Sequence, residues 1–164
     1  MAIRFLRTEG DPVLRKSAQE VKRFDGVLGR LLDDMAESMY YYEGVGLAAP
    51  QIGISKRIVV IDADESGLLE LVNPEIVASE GEEVDIEGCL SVPKTYGEVK
   101  RAARVKVVAQ NRLGERIEIE AEGLLARALQ HEIDHLHGIL FIDRAIRILP
   151  SDDEIDETDE EMEE

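Results

Sequence analysis

The sequence predicts an α+β fold in which antiparallel β-sheets pack around a central helix toward the C-terminal end of the chain. Two amphipathic helical segments lie far apart, and the β-branched segments lie mostly between them instead of alternating with helices. The 164 residues, of which 44% are hydrophobic, suit one domain with its own core.

The first long helix is predicted over residues 25–42. Asp25 precedes the apolar repeat and is a typical N-cap residue, and Gly44 and Gly46 follow the end of the helix. The large apolar side chains recur at three- and four-residue steps and form one stripe: Leu28, Leu31, Leu32, Met35 and Met39. A shorter helix is predicted to start at Asp11-Pro12, because Asp caps helices and Pro is tolerated in the first turn.

Extended segments are predicted in the middle of the chain. Residues 56–61 are short and β-branched, and residues 105–109 and 117–120 are rich in Val and Ile. The turn-like sequence Asn-Arg-Leu-Gly lies between the last two segments and predicts a β-hairpin. Residues 75–90 predict one further extended segment.

A second long helix is predicted over residues 124–137, with a glycine on either side. It carries His131, Glu132 and His135 in an H-E-x-x-H sequence. At about 100° per residue, the two His side chains lie about 40° apart and one turn from each other, so both imidazoles can bind one divalent ion. Glu132 lies between them and can reach a metal-bound water without binding the ion itself.

The helical wheel places both His side chains on the buried side of this helix. Leu124 and Ala128 share their stripe. A buried imidazole needs a partner, which favours a metal site. His137 points away and is excluded as a ligand. The opposite side of the helix is expected to be solvated and holds Arg127, Gln130, Asp134 and His137.

A catalytic site of this kind needs a third protein ligand and an open position. Phe141 stands where metzincins have their third His, and the downstream acidic residues lie in a tail where nothing holds them in place. The single Cys of the chain, Cys89, follows a glycine that lets the backbone approach closely. Cys89 therefore completes the predicted ligand set with His131 and His135.

The charge of the chain excludes some classes of protein and divides the sequence. A formal net charge of −17 disfavours a basic face that binds DNA or RNA. Residues 151–164 hold 10 acidic residues, no basic residue and few apolar side chains. We therefore predict a folded domain over residues 1–150 and a disordered acidic tail over 151–164. No apolar run approaches the length of a membrane span, so a cytoplasmic location without a membrane partner is expected.

Three segments resemble, in order and spacing, the three signature motifs of bacterial peptide deformylases: residues 44–51 (GVGLAAPQ), 87–91 (EGCLS) and 130–135 (QHEIDH). The resemblance extends over about residues 1–145, and the three motifs together are highly specific. It implies that the domain over 1–150 is catalytic, and that it removes the formyl group from the N-terminal formyl-methionine of new polypeptides and releases formate.

The resemblance also implies one metal ion held by Cys89, His131 and His135, natively Fe²⁺, with water in the fourth position. Zn²⁺, Ni²⁺ and Co²⁺ suit two imidazoles and one thiolate as well. We expect attack by metal-bound hydroxide, with Glu132 as general base and then general acid. The family match supplies two donors for the oxyanion that develops on the formyl oxygen: Gln51 and the backbone N–H of Leu90.

Further residues are predicted to bind the substrate or to support the site. Gly46 is expected to pair with an extended peptide. Glu87 and Arg101 resemble a salt bridge of the family that braces the Cys loop. Four residues make up the predicted substrate-binding set: Val45, Gly46, Leu124 and Ala128.

The expected partners are nascent N-formyl-methionyl polypeptides, met in transient proximity to the ribosome, and the expected state is a monomer. Two alternatives stay open. Another metallopeptidase with an H-E-x-x-H helix is disfavoured by Cys89, whereas a non-catalytic, metal-stabilised binding module would use the same three ligands in a closed site. The variant Glu132→Gln separates the enzyme from the binding module.

Overall fold

A computed structural model describes residues 2–63 and 65–149 of the chain. The predicted acidic tail over residues 151–164 lies outside the described residues, so its predicted disorder and the domain division stay predictions. The helices are α1 (Gly26–Tyr41), α2 (Gly123–His135) and α3 (Phe141–Arg144), with 3₁₀ turns at Pro12–Arg15 and Ala49–Ile52. The strands are β1 (Gly46–Ala48), β2 (Ile58–Ile61), β3 (Leu69–Glu80), β4 (Glu83–Cys89), β5 (Val92–Arg101), β6 (Arg104–Gln110), β7 (Arg116–Glu122) and β8 (Ala145–Leu149).

The strands form two antiparallel sheets, which confirms the predicted α+β class. The larger sheet has the order β1-β2-β3-β6-β7, and the smaller sheet has the order β4-β5-β8. The predicted hairpin is β6 and β7, joined by the turn that contains Asn111. Within the described residues, no helix combines the length and apolar character that crossing a bilayer requires.

Helix α1 forms as its sequence predicts. The Asp25 side chain accepts a hydrogen bond from the N–H of Leu28 at 3.2 Å and caps the first turn. The predicted apolar stripe is buried against β1 and β2, where Leu47, Ile58 and Val60 complete one core cluster. The shorter predicted helix is the 3₁₀ turn at Pro12–Arg15, which Asp11 caps.

Helix α2 is buried on both sides, so the prediction of a solvated side was wrong. Its apolar residues pack on the larger sheet, against Val59, Leu71 and Val107. The opposite side faces the smaller sheet and carries three polar residues that are less than a tenth exposed: Arg127, Gln130 and Asp134. Their polar atoms are paired with the strands and loops of that side, which makes the burial of these groups tolerable.

The segment over residues 75–90 forms two strands and not one. Strand β3 belongs to the larger sheet and β4 to the smaller one, and Gly81 lies between them with a φ of +73° that favours glycine. The chain thereby crosses from the larger sheet to the smaller one just before β4, the strand that ends at Cys89. Four further elements have no clear pattern in the sequence: β1, β5, β8 and α3.

Candidate metal centre

The three predicted ligands come together between the two sheets. Cys89 lies at the end of β4, and His131 and His135 lie one turn apart on α2. One ligand atom from each residue lies within 4.8 Å of the others, and Cys89 Sγ is 3.4 Å from His135 Nε2. The smaller sheet and helix α2 therefore bring together one sulfur and two ring nitrogens that can bind a metal ion.

A β-bulge brings Cys89 to this position. The pairing of β4 with β5 shifts register between Gly88 and Cys89, so that Cys89 lies opposite Val92. Bulges bend a strand and redirect a side chain. The thiol consequently ends near α2 and is half-buried, whereas both imidazoles are nearly inaccessible.

The chemistry of these residues fits a divalent transition-metal ion. One thiolate and two imidazoles are the donors that zinc, iron, cobalt and nickel accept, and three protein ligands leave a position open. Burial lowers the pKa of His135 well below its ordinary value, which favours the neutral ring that binds metals. Burial also acts to lower the pKa of His131, but Glu132 and Cys89 outweigh it and raise that pKa. The same negative potential would stabilise a bound cation in place of the proton.

Glu132 is the carboxylate next to this triad. It is 4% exposed, and its Oε1 atom is buried with no hydrogen-bond partner among the described residues. That atom lies 4.0 Å from His135 Nε2. Burial raises the pKa of Glu132 to about 7, although the neighbouring His131 acts in the opposite direction. A carboxyl group whose pKa is near neutrality can both accept and return a proton.

The strand β1 packs directly on this carboxylate. A β-carbon added to Gly46 would lie 2.6 Å from Glu132 Oε2, which is closer than real contacts allow. Gly44 has a similar role nearby, because a β-carbon there would lie 2.9 Å from Leu90 Cδ1. The two glycines of the G-V-G sequence therefore leave room for the side chains of the site.

Gln51 is held beside the ligands by both ends of its amide. Its Oε1 accepts a hydrogen bond from the N–H of Ala48 at 2.9 Å, and its Nε2 donates to Ser91 Oγ at 3.1 Å. The second hydrogen of Nε2 is directed to Cys89 Sγ at 3.6 Å. The amide is therefore fixed with one donor aimed at the ligand triad. Leu90 lies in the turn between β4 and β5 and is half-buried.

A cavity of about 490 Å³ opens beside the triad. Its lining includes Cys89, His131, Glu132, Gln51 and Leu90, and also the four residues predicted to bind substrate, Val45, Gly46, Leu124 and Ala128. Residues without a motif signal line the same cavity, including Ile86 on β4 and Tyr96 on β5. The structure leaves both side chains exposed on their strands, Ile86 at 56% and Tyr96 at 40%, and that exposure cannot be read from the sequence.

Glu87 joins the ligand helix to the smaller sheet. Arg101 donates to both of its oxygens at 2.8 Å, and His131 Nδ1 lies 2.8 Å from Oε1. Arg101 is held in turn by Asp134 at 2.6 Å. Burial acts to raise the pKa of Glu87, but the hydrogen bonds from Arg101 and His131 outweigh burial and hold that pKa well below its usual value. Glu87 is therefore a buried carboxylate that orients one of the two candidate ligand imidazoles.

Comparisons with known proteins identify the family of this chain. The family profile described as polypeptide deformylase matches residues 3–150. A peptide deformylase of Acetivibrio thermocellus is 60% identical over 153 residues, which cover 93% of this chain and 89% of that protein. A peptide deformylase of Caldicellulosiruptor bescii is 57% identical over 157 residues, covering 96% of this chain and 93% of that protein.

Solved structures show the same similarity. The crystal structure of a peptide deformylase from Legionella pneumophila has a TM-score of 0.84 and 52% identity, covering 87% of this chain and 85% of that one. The peptide deformylase from Thermotoga maritima has a TM-score of 0.85 and 49% identity, covering 87% of this chain and 97% of that one. The chain is therefore a member of the polypeptide deformylase family of metal-dependent hydrolases.

Proposed function

We propose that this enzyme removes the formyl group from the N-terminal formyl-methionine of newly made polypeptides and releases formate and a free α-amine. The observation that carries the proposal is the placement of Glu132 beside the triad in the wall of an open, partly apolar cavity. A linear formamide at the end of an extended chain fits such a cavity, because only its first residue has to enter.

Cys89, His131 and His135 would hold the metal ion, and we propose Fe²⁺ as the native ion from the likeness to the family. When bound, such an ion acts as a Lewis acid and makes water a stronger nucleophile near neutral pH. Zn²⁺, Ni²⁺ and Co²⁺ fit the same donors. The two imidazoles are held by the helix itself, and His131 is oriented further by Glu87.

Glu132 acts as general base and then as general acid in this proposal. Its carboxylate accepts a proton from the water that attacks the formyl carbon, and it returns the proton to the amine nitrogen as the C–N bond breaks. Its raised pKa, about 7, places both protonation states within reach at neutral pH. The products are formate and the polypeptide with its α-amine, so atoms and charge balance.

Gln51 and Leu90 stabilise the negative charge that develops on the formyl oxygen. The second Nε2 hydrogen of Gln51 is directed toward the triad, where an oxyanion would be a stronger acceptor than the sulfur. The backbone N–H of Leu90 is the second proposed donor. Donors fixed in this way stabilise charge without reorganisation.

The substrate binds in extended form along β1. This strand pairs with β2 on one side and lies at the edge of the larger sheet, so its other side can pair with a peptide. The methionine side chain enters the apolar part of the cavity between Val45, Leu124 and Ala128. The remaining features of the proposal are a catalytic domain over residues 1–150 and a monomer that meets nascent chains in the cytoplasm beside the ribosome.

The variant Glu132→Gln tests this function. Formate release from a formyl-methionyl peptide should fall by at least about two orders of magnitude in kcat, with the metal content unchanged. Glu120→Gln, on the exposed face of β7, is the matched control and should keep wild-type activity. A Glu132→Gln enzyme with undiminished turnover would contradict the proposed role and support a site in which the metal is only structural.

A further inference from the structure

We propose that Arg127 is a positioning residue that sets the spacing between the cysteine ligand on β4 and the two histidine ligands on α2. This proposal rests on the metal centre of the proposed function, but it concerns how tightly and how long the ion is held. Its measurements do not require deformylation.

Arg127 shares the carboxylate of Glu87 with the metal-ligating His131. Arg127 Nη1 donates to Glu87 Oε2 at 2.6 Å, while His131 Nδ1 contacts Oε1 at 2.8 Å. Arg127 and His131 lie four residues apart on α2, about one helical turn from each other. The Glu87 carboxylate on β4 is therefore bound by residues from two successive turns of α2.

The other hydrogen bonds of Arg127 connect α2 to the backbone of the smaller sheet. Nη1 also donates to the carbonyl of Val99 on β5 at 3.0 Å, and Nη2 donates to the carbonyl of Glu83 on β4 at 3.0 Å. The guanidinium is thus hydrogen-bonded to two neighbouring strands of the smaller sheet, β4 and β5, and the Arg127 side chain is 9% exposed. A rigid, planar cation with three separate acceptors has little freedom to move.

This connection reaches Cys89 through β4. Cys89 is two residues after Glu87 on β4, so the strand that Arg127 binds is the strand that ends in the thiol. Arg101 also binds Glu87, but its remaining donor goes to Asp134 on the far part of α2. Arg127, in contrast, joins α2 both to the β4 backbone at Glu83 and to the Glu87 carboxylate.

Loss of Arg127 would remove a hydrogen-bond donor from each of its three acceptors. Glu87 Oε2 would keep a single donor from Arg101, and the carbonyls of Val99 and Glu83 would lose their side-chain partner. The strand could then shift relative to the helix, which widens the range of distances between the thiol and the two imidazoles. Residues that orient metal ligands typically change metal affinity by about 10–100-fold when they are replaced.

The test compares cobalt-loaded wild-type enzyme with Arg127→Met, Arg127→Lys and Arg112→Met. Arg112 is the matched control, because it also forms two ion pairs, with Asp33 and Glu70, away from the ligands. The visible absorption of Co²⁺ reports the geometry of its ligands, and an added chelator gives the rate of metal release. The Arg127→Lys variant keeps the charge but replaces the two separate nitrogens, Nη1 and Nη2, by a single ammonium group on a flexible chain.

We expect Arg127→Met to release Co²⁺ about 10–100-fold faster than the wild type and to alter the cobalt spectrum. The release rate of Arg127→Lys should lie between those of the wild type and Arg127→Met. Arg112→Met should release Co²⁺ at the wild-type rate even where it lowers the Tm. Wild-type release and an unaltered spectrum in Arg127→Lys and Arg127→Met would overturn the proposal, as would equal acceleration in Arg112→Met. If Arg127→Met does not fold, the Co²⁺ release rate and the cobalt spectrum of Arg127→Lys test the proposal.

Failure of the proposed function gives a different result. A wild-type enzyme that binds Co²⁺ but releases no formate from formyl-methionyl peptides would contradict deformylation. The release rates and spectra of the Arg127 variants would still decide the positioning role.

Discussion

Gly46 lies so close to Glu132 that a β-carbon on the glycine would approach the carboxylate oxygen to 2.6 Å. The strand proposed to bind the peptide and the carboxylate proposed to move the proton are therefore in direct contact. Any side chain at position 46 must displace one of them. This relationship links substrate orientation and proton transfer through a single backbone position.

Replacement of Gly46 by Val is expected to lower kcat and to raise KM. The added side chain would push Glu132 from its place and block the peptide on β1, so we expect kcat to fall at least about tenfold alongside a sharp rise in KM. Steady-state formate release measures both constants. Gly29→Ala in α1 is the control, because its β-carbon would lie 3.6 Å from Arg112 Nη1, which is an ordinary van der Waals contact. Unchanged constants in Gly46→Val would contradict the proposed peptide path.

Replacement of Gln51 by Glu should remove one donor to the oxyanion while keeping the fold of the loop. Oε1 of the new residue can still accept from Ala48 N–H, and Ser91 Oγ can donate to the other oxygen. We expect kcat to fall by about 10²–10³-fold with a small change in Tm. Gln110→Glu, in the larger sheet, tests whether any such replacement has this effect. Equal losses in the two variants would argue against the role of Gln51.

Metal removal and exchange test the proposed ion. Chelation should abolish formate release, and Fe²⁺ added without oxygen should restore it. Air should inactivate the iron form, because a ferrous ion beside the Cys89 thiolate is open to oxidation. Ni²⁺ or Co²⁺ should keep part of the activity in air. An enzyme equally active in air with Zn²⁺ would contradict the assignment of iron while leaving the ligand set intact.

Stability in acid should depend on Asp34, which ties the N-terminal segment to α1. Burial acts to raise the pKa of Asp34, but hydrogen bonds from the Ala2 N–H and from Arg4 hold it below the usual 3.8. A carboxyl pKa that folding lowers stabilises the protein above the unfolded value, and this contribution is lost as the pH falls through the folded value. The stabilisation should therefore be complete above about pH 5 and fade below about pH 4.

Thermal unfolding of Asp34→Asn against the wild type measures this contribution. Because the side chain of Arg4 is partly exposed, we expect about 1 kcal/mol, or roughly 2–4 °C in Tm, near neutral pH. The difference between the two proteins should shrink as the pH falls below about 4. A difference that stays constant from neutral to acid pH would show that the charge of Asp34 is not responsible.

Truncation tests the proposed extent of the catalytic domain. A chain that ends at residue 150 should keep the kcat and KM of the full chain, because every residue assigned to the site lies before that position. Formate release from the two chains under the same metal loading is the measurement. A large loss of turnover in the shorter chain would show that residues 151–164 contribute to catalysis or to folding.

Much of the site could be predicted because its parts are local. The two histidines are one helical turn apart, and that spacing alone places both rings on one side of α2. Asp25 caps α1 through a contact within its own first turn. Cys89 could be selected because the chain offers no other thiol. Each of these inferences needs only neighbouring residues or a count of residue types.

The sequence by itself determined the periodicity of α1 and α2, the hairpin of β6 and β7, and the ligand types. Only the tertiary structure decided what covers the other side of α2. Arg127 and Asp134 have the spacing of a solvated face, yet the smaller sheet buries them by pairing their charges with Glu87 and Arg101. A charged residue paired inside a fold and one facing water have the same sequence pattern, because the partner that makes burial tolerable is distant in the chain.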